Sequence, residues 1–360
     1  VNILIIGAGA IGCLVGGKLA LAGHAVTLVG RPRFATAVQS QGLLIHDVDG
    51  AHVVRDLVAV GAIAEAFTIA NTHYDVVILT VKSYDTKDAL TELIAAAQAV
   101  GAALPPAVVS LQNGIGNEEV IADTVGAERV IAGTITTPVI VSAPGVIQVE
   151  KADSRIGLSR WSSAAPHPLL DPLAAALRKA GFGVRCYGNA VAMKWTKLLM
   201  NMAANATCAI LDESPATAFA RAEIVDLELA AWREALAVMR QAGIQPVNLG
   251  EYPFRLLAPL IRTLPNAILR PLLRHQVARA RGSKMPSLHI DLHSGRTRSE
   301  VCWLNGAVVR KGEEVGVATP VNRTLTQTLL TLVAREDDLA HWRHNPQRLI
   351  AASGGSYSNR

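Results

Sequence analysis

Gly7-Ala8-Gly9-Ala10-Ile11-Gly12 stands between an apolar run at residues 3–6 and a small-residue stretch, and a second apolar run ends at Gly30-Arg31. The chemistry this spacing suits is phosphate binding. Gly7 allows a tight turn off a strand. Gly9, lacking a side chain, lets a pyrophosphate approach the backbone. Gly12 lets the following helix pack closely on a sheet. The start of that helix then offers backbone N–H groups and the positive end of its dipole to an anion. With a strand on each side, the six residues read as a dinucleotide-binding fingerprint. At the end of the second strand, NAD-preferring sites place Asp or Glu to bind the ribose 2′-hydroxyl. This chain has Gly30-Arg31-Pro32-Arg33. Guanidinium pairs with phosphate through parallel charge-assisted hydrogen bonds. The expected cofactor is therefore NADP(H), with Arg31 on the 2′-phosphate and Arg33 as a helper. The competing reading of both is a pair of solvated loop arginines.

Three further groups carry candidate chemistry. Lys82 follows the apolar run 75–81, and Asn113 follows the run 107–111. Both runs read as strands, and carboxyl ends of strands are where doubly wound sheets bind ligands. Taken singly, Lys82 is equally a solvated lysine and Asn113 equally a turn former before glycine. Lys197, Asn201 and Asn205 are spaced i, i+4, i+8 in an otherwise apolar stretch, 188–210. On one helix they form a nearly straight polar stripe. Burying a lysine and two amides without partners is costly, so the stripe is expected to face a cleft between domains. Ser287 and Glu300 lie further on, Glu300 opening another apolar run, where a carboxylate also complements a helix dipole.

The elements that must position these residues divide the chain in two. Strand and helix patterns alternate through the first half, with a helix over 85–99, extended segments over 128–158 and a helix over 167–180. This pattern predicts an α/β Rossmann domain with a mostly parallel sheet over residues 1–187. From about 188, long helical stretches take over at 188–210, 216–242, 253–282, 299–315 and 320–336. They predict an all-α domain over 188–350 for substrate and dimerisation. Residues 351–360 read as a disordered tail. Six arginines, Arg255, Arg262, Arg270, Arg274, Arg279 and Arg281, fall in 252–281 without an acidic residue. That segment suits a membrane-surface helix, a lid, or two proline-broken helices with arginines at the rim; the last is expected.

Composition narrows the classes. The 360 residues suffice for two domains. Hydrophobic residues make up 50%, yet glycines, threonines and prolines interrupt every uncharged run, so no membrane span is expected. The opening strand belongs to the fold and does not read as a cleavable leader. Cys13, Cys186, Cys208 and Cys302 have no metal-binding spacing; they read as buried free thiols of a cytoplasmic protein. No metal is expected. The net charge of +5 suits an anionic cofactor and an acidic substrate, whereas 4% aromatics and the lack of any nucleic-acid motif argue against nucleic-acid binding. The apolar helices of the second half leave pairing into a homodimer open.

Taken together, the motifs resemble the ketopantoate reductase (2-dehydropantoate 2-reductase) family over almost the whole length. The resemblance rests on GAGAIG with Arg31, TVKSYDT around Lys82, LQNGIGNEE around Asn113, KWTKLLMNMAANAT, SLHID at Ser287 and SEVCWLNG at Glu300. It implies NADPH-dependent reduction of 2-dehydropantoate to pantoate, a step toward pantothenate and coenzyme A. It further implies that Lys82 and Asn113 sit at the nicotinamide end of the cofactor. Lys197 would be the general acid, Asn113, Asn201 and Asn205 would position the substrate, Ser287 would contact its carboxylate, and Glu300 would accept from its hydroxyl. A lysine whose pKa burial has lowered can protonate an alkoxide, which agrees with this role. The chain departs from the family where an Asn-Gly-containing turn often follows the catalytic helix, having Leu211-Asp212-Glu213-Ser214-Pro215 instead. The alternatives are a reductase of another 2-oxo acid on the same scaffold, or a regulatory protein that holds NADPH without turnover. Opine-type dehydrogenases share the domain plan but do not account for Lys197, Asn201 and Asn205 together with Glu300.

Overall fold

A computed structural model describes residues 1–69, 73–151, 153–162, 166–281 and 285–355. The chain divides into two compact units, one of residues 1–112 and 116–194, the other of Asn113–Ile115 and Trp195–Arg360. The division thus falls at 194/195, against an expected 187/188, and a three-residue turn of the first half belongs to the second unit.

The strands of the first unit are β1 (Asn2–Ile6), β2 (Ala25–Val29), β3 (Leu43–Asp47), β4 (Gly50–Val54), β5 (Val58–Val60) and β6 (Val76–Leu79). They continue as β7 (Ala107–Ser110), β8 (Val130–Ile135), β9 (Val139–Ala143), β10 (Val146–Val149), β11 (Arg155–Arg160) and β12 (Gly183–Cys186). Its helices are α1 (Ala10–Leu21), α2 (Pro32–Gln41), α3 (Ile63–Thr68), α4 (Thr86–Ala99), α5 (Asn117–Val125) and α6 (Leu170–Lys179). Eight strands form one sheet in the order β12-β11-β8-β7-β6-β1-β2-β5. All its pairs are parallel except β11 with β8. Four consecutive residues of β1, β2, β6 and β7 are buried, as expected of parallel strands covered on both faces. The expected mostly parallel sheet is borne out.

A second sheet, β4-β3-β10-β9, accounts for the segments read only as extended. It joins the β3–β4 hairpin to β10 through a parallel pairing of Leu44–His46 with 146–148. Helix α1 packs against both sheets. A Cβ on Gly16 would meet Leu28 and Ile5 of the large sheet at 2.8 and 3.1 Å, and one on Gly17 would meet Ile45 and Leu43 of the small sheet at 2.5 and 2.9 Å. A helix covered on two sides has no polar face to show, which explains the uninterrupted small apolar sequence of 10–17.

Every helix of the second unit comes from the Ala/Leu-rich half. The order is α7 (Ala190–Met202, shared between units), α8 (Asn205–Leu211), α9 (Pro215–Phe219), α10 (Ala222–Gln241), α11 (Phe254–Thr263), α12 (Asn266–Arg281), α13 (Ser287–His293), α14 (Asn305–Val315), α15 (Pro320–Ala334) and α16 (Pro346–Ala352). Among its described residues the only β feature is an isolated Leu249–Tyr252 bridge, so the expected helical domain is borne out. Several boundaries differ. The single helix expected over 188–210 is two, because Ala204 takes a left-handed conformation at φ 62°, at roughly 1–2 kcal/mol for a residue with a Cβ. The buried Glu228 of α10 offsets this: its carboxylate accepts from Ala204 N at 3.2 Å and Thr207 Oγ1 at 2.5 Å. The helix expected from 299 begins instead with a 3₁₀ turn, Glu300–Trp303. In the arginine-rich segment the break falls at Leu264 and Pro265, while Pro259 and Pro271 sit inside α11 and α12. There Arg270 grips Asp226 through two bonds of 2.8 and 2.6 Å, and Arg274 reaches Ala220 O. The side chains of Arg279 and Arg281 fall outside the described residues. The expected tail is ordered at its start, since α16 runs to Ala352 and Ser353 is buried; residues 356–360 lie outside the described residues. Cys186 is exposed rather than buried. No helix among the described residues is long and apolar enough to cross a membrane.

A buried ion pair lies in the first turns of α7. The Lys194 side chain is 3% exposed and its partner Glu118 1%. Lys194 Nζ lies 2.8 Å from Glu118 Oε1 and donates to Gln112 O at 2.7 Å and Gly133 O at 3.4 Å. Breaking a buried ion pair by removing one partner strands the other charge. We predict that Lys194→Met destabilises the protein by about 3–5 kcal/mol, and that adding Glu118→Gln recovers part of the loss; denaturant unfolding of the single and double variants measures both. At the fingerprint, a Cβ on Gly12 would lie 2.2 Å from Gly7 O, whereas one on Gly9 would meet nothing within 4 Å. Gly12→Ala is therefore expected to destabilise the protein by about 3 kcal/mol, read as a marked fall in thermal midpoint, and Gly9→Ala to leave the midpoint near wild type.

Candidate functional site

The fingerprint sits at the switch point of the large sheet. β1 has β6 on one side and β2 on the other, so the chain leaves the sheet in opposite directions on either side of a crevice at their carboxyl ends. Gly7, at φ 111°, is forced to be glycine: a Cβ there would lie 2.6 Å from Val81 N and 2.7 Å from Thr80 C. Thr80 Oγ1 donates to Gly7 O at 2.6 Å, and Gly7 N and Ala8 N both donate to Val29 O. The turn is thus held to the ends of both neighbouring strands. The helical ladder of α1 starts with Cys13 N donating to Gly9 O, so the N–H groups of Ala10, Ile11 and Gly12 precede it and point out of the helix start. Gly9 is exposed, and the space its Cβ would take is open. These observations fit an anionic dinucleotide, with backbone N–H groups and a helix N-terminus facing an unobstructed glycine.

Arg31 is exposed at the end of β2 and caps α2, its carbonyl accepting from Phe34 N and Ala35 N. Arg33, also exposed, lies in the first turn of α2. No carboxylate occurs between Gly30 and Phe34. Lys82 lies half-buried just after β6 and caps the short turn Ser83–Asp85. That turn is tied to the loop after β7 by a buried amide network. Gln112 Nε2 donates to Val81 O at 3.0 Å and Thr86 Oγ1 at 2.8 Å, and Asn117 Nδ2 donates to Ser83 Oγ at 3.2 Å. Sequence reasoning passed over Gln112, Asn117, Glu118 and Lys194. The one signal for Lys194 was a charge in an apolar helix, which the neighbouring stripe drew to Lys197 instead.

In the second unit the remaining candidates converge. Asn201 Nδ2 donates to Asn113 Oδ1 at 2.9 Å. Asn205 Nδ2 lies 3.2 Å from Asn201 O and 3.4 Å from Ser287 Oγ, and its Oδ1 accepts from Leu288 N at 3.1 Å. Lys197, half-buried, sits one helical turn before Asn201 on α7. The straight three-residue stripe is corrected: Asn205 opens α8 beyond the break at Ala204, and its side chain turns to α13. Gly114, at φ 88°, packs its backbone on Trp303, where a Cβ would lie 2.6 Å from Trp303 O, and Ile115 N donates to that oxygen at 2.9 Å. Asn113 is thereby docked on the Glu300–Trp303 turn, whose first residue, Glu300, is buried and follows the capping Ser299. Asn113, Asn201, Asn205 and Ser287 thus form one hydrogen-bonded chain, with Lys197 one helical turn before Asn201 and the Glu300–Trp303 turn against the Asn113–Ile115 segment. The arrangement offers a cation, a carboxylate and several amides in one unit, the groups needed to hold a small polar acid and supply a proton.

Comparison with known proteins agrees with both halves. The model of the ketopantoate reductase PanE/ApbA family matches residues 3–163, and its C-terminal companion matches 189–332. A 2-dehydropantoate 2-reductase of Halobacterium salinarum is 31% identical over 339 residues, covering 93% of this chain and 99% of that protein. The crystal structure of a PanE/ApbA family ketopantoate reductase from Ralstonia eutropha superposes with a TM-score of 0.77 at 26% identity, covering 93% of this chain and 99% of the other. The ternary structure of D-mandelate dehydrogenase with NADH and anilino(oxo)acetate shares the fold at a TM-score of 0.76 and 22% identity, covering 93% of this chain and 99% of that one. A nucleotide-binding first half and a helical second half, each matched along its length, make this chain a member of the ketopantoate reductase family.

Proposed function

We propose that the chain reduces 2-dehydropantoate to pantoate with NADPH. The observation that carries the substrate half is the hydrogen-bonded set of Asn113, Asn201, Asn205 and Ser287 with Lys197 one turn away. The cofactor half rests on the open glycine at Gly9 and on Arg31 and Arg33 at the end of β2, with no Asp or Glu between Gly30 and Phe34. Gly7, Ala8, Gly9, Ala10, Ile11 and Gly12 bind the pyrophosphate, Arg31 pairs with the 2′-phosphate, and Lys82 and Asn113 approach the nicotinamide end. When bound, the reduced nicotinamide supplies a hydride.

The chain's own residues supply orientation and the proton. Ser287 and the amides of Asn201 and Asn205 hold the substrate's carboxylate end, and Glu300 accepts from its hydroxyl. As C2 gains a hydride, the ketone oxygen becomes an alkoxide that needs both a positive neighbour and a proton. Lys197 Nζ holds that proton and donates it to the oxygen, leaving a neutral amine that solvent reprotonates.

A second reading, reduction of a different 2-oxo acid on the same scaffold, is favoured by one observation. Residues 211–215 lack the Asn-Gly-containing turn that the family often carries, and Asp212 there sets a carboxylate against His289, two residues beyond Ser287 on α13. A panel of 2-oxo acids assayed by NADPH absorbance separates the readings. Turnover with 2-dehydropantoate supports the first, turnover only with other acids the second, and NADPH binding without turnover a regulatory role. Lys197→Ala is expected to lower kcat by about 10²–10⁴-fold with NADPH affinity little changed. Wild-type turnover in that variant would remove Lys197 from the proton-donor role. Arg31→Ala is expected to raise the KM for NADPH by about tenfold or more, as for a lost charged hydrogen bond, and to leave NADH kinetics unaltered. An unchanged preference would refute the 2′-phosphate contact.

A further inference from the structure

Beside the Asn205–Ser287 pair, three side chains form a group that the proposed reaction does not use. Asp212 ends α8 as its left-handed cap, and His289 and His293 sit one turn apart on α13. Asp212 Oδ1 lies 2.7 Å from His289 Nε2 and 3.0 Å from His293 Nε2. The two imidazoles stack, with ring centroids 4.1 Å apart and planes at 25°. One ligand atom from each residue lies within 4.8 Å of the others.

From this convergence we infer that Asp212, His289 and His293 form a binding site for a divalent transition-metal ion of the zinc type.

Three arguments carry it. The first is donor chemistry. Two imidazole nitrogens and one carboxylate oxygen are a ligand set that zinc takes in sites with an open fourth position. Histidines at i and i+4 place both rings on one helical face. The second is distance. Zinc bonds of about 2.0–2.1 Å in a tetrahedron separate neighbouring ligand atoms by about 3.3 Å. The Asp212 oxygen need move away from the His289 and His293 nitrogens by about 0.6 and 0.3 Å, and the ring nitrogens lie within 4.8 Å of each other. The third is access. Asp212 and His289 are largely buried, while the His293 side chain is 38% exposed, so an ion and a water reach the group from solvent.

The surroundings are consistent with this role. Arg343 Nε contacts the other Asp212 oxygen, Oδ2, at 2.9 Å, which fixes the carboxylate with Oδ1 turned to the rings. Such outer contacts orient first ligands in metal sites. A bound ion would join the end of α8 to α13, the elements that carry Asn205 and Ser287.

The test uses the full-length, untagged chain stripped with a chelator. Zn²⁺ is titrated in competition with a chromogenic chelator, and Co²⁺ binding is followed by visible absorption, for wild type, His293→Gln and His289→Ala. His293 is exposed enough that His293→Gln should fold; circular dichroism checks it. The expected result is one Zn²⁺ per chain, a four-coordinate Co²⁺ spectrum, and a rise in thermal midpoint with Zn²⁺. In both variants affinity should fall by at least about tenfold, as even outer-contact losses cost this much, and the Co²⁺ band should vanish. No stoichiometric binding to wild type, or binding undiminished in both variants, would overturn the inference.

Discussion

A single buried ammonium constrains the first unit. Lys194 has left water, and ions in a protein interior cost several kcal/mol unless their partners are well placed. Its partners come from three places in the chain: Glu118 at the start of α5, Gln112 after β7, and Gly133 in β8. Each must be present at once, so the loop from 112 to 118 has little freedom. Gln112 extends the constraint through Val81 O and Thr86 to the turn that carries Lys82. The residues that follow Lys194 on α7 include Lys197 and Asn201, and the residue that follows Gln112 is Asn113. The charge that fixes the backbone is therefore distinct from the charge proposed to move a proton, although one helical turn separates them.

The nucleotide-binding turn depends on a different economy, that of missing side chains. Gly7 and Gly12 admit backbone contacts that a Cβ would forbid, while Gly16 and Gly17 let α1 settle against two sheets. Of the five glycines from Gly7 to Gly17, only Gly9 faces open space. Four of these glycines serve packing, and Gly9 leaves open the space proposed for the pyrophosphate.

What the sequence revealed and what it hid follow from range. The fingerprint, the parallel sheet and the helical second half were legible because each is written in local patterns of apolar and small residues. The arrest of α7 before Ala204 was not, since alanine is the best helix former. The cause is Glu228, on another helix, accepting from Ala204 N. The small second sheet was hidden for the same reason, because its central pairing joins β3 to β10. Lys194 and Glu118 carry no motif and became visible only as a pair. The spacing of Lys197, Asn201 and Asn205 suggested one straight stripe, and the structure gives these three residues another geometry. Asn205 stands on its own helix, and what unites it with Asn201 is a hydrogen bond to a carbonyl rather than a shared face.

The proposed reaction delivers the hydride of NADPH to C2 of 2-dehydropantoate. It is tested most directly by incubating the wild-type protein with 2-dehydropantoate and NADPH deuterated at nicotinamide C4, on each face in turn, and examining the product by proton NMR. The account predicts pantoate carrying deuterium at C2 from one of the two labelled cofactors, with the C2 proton signal lost accordingly. Pantoate without deuterium from either cofactor, or no pantoate while NADPH remains bound, would contradict it.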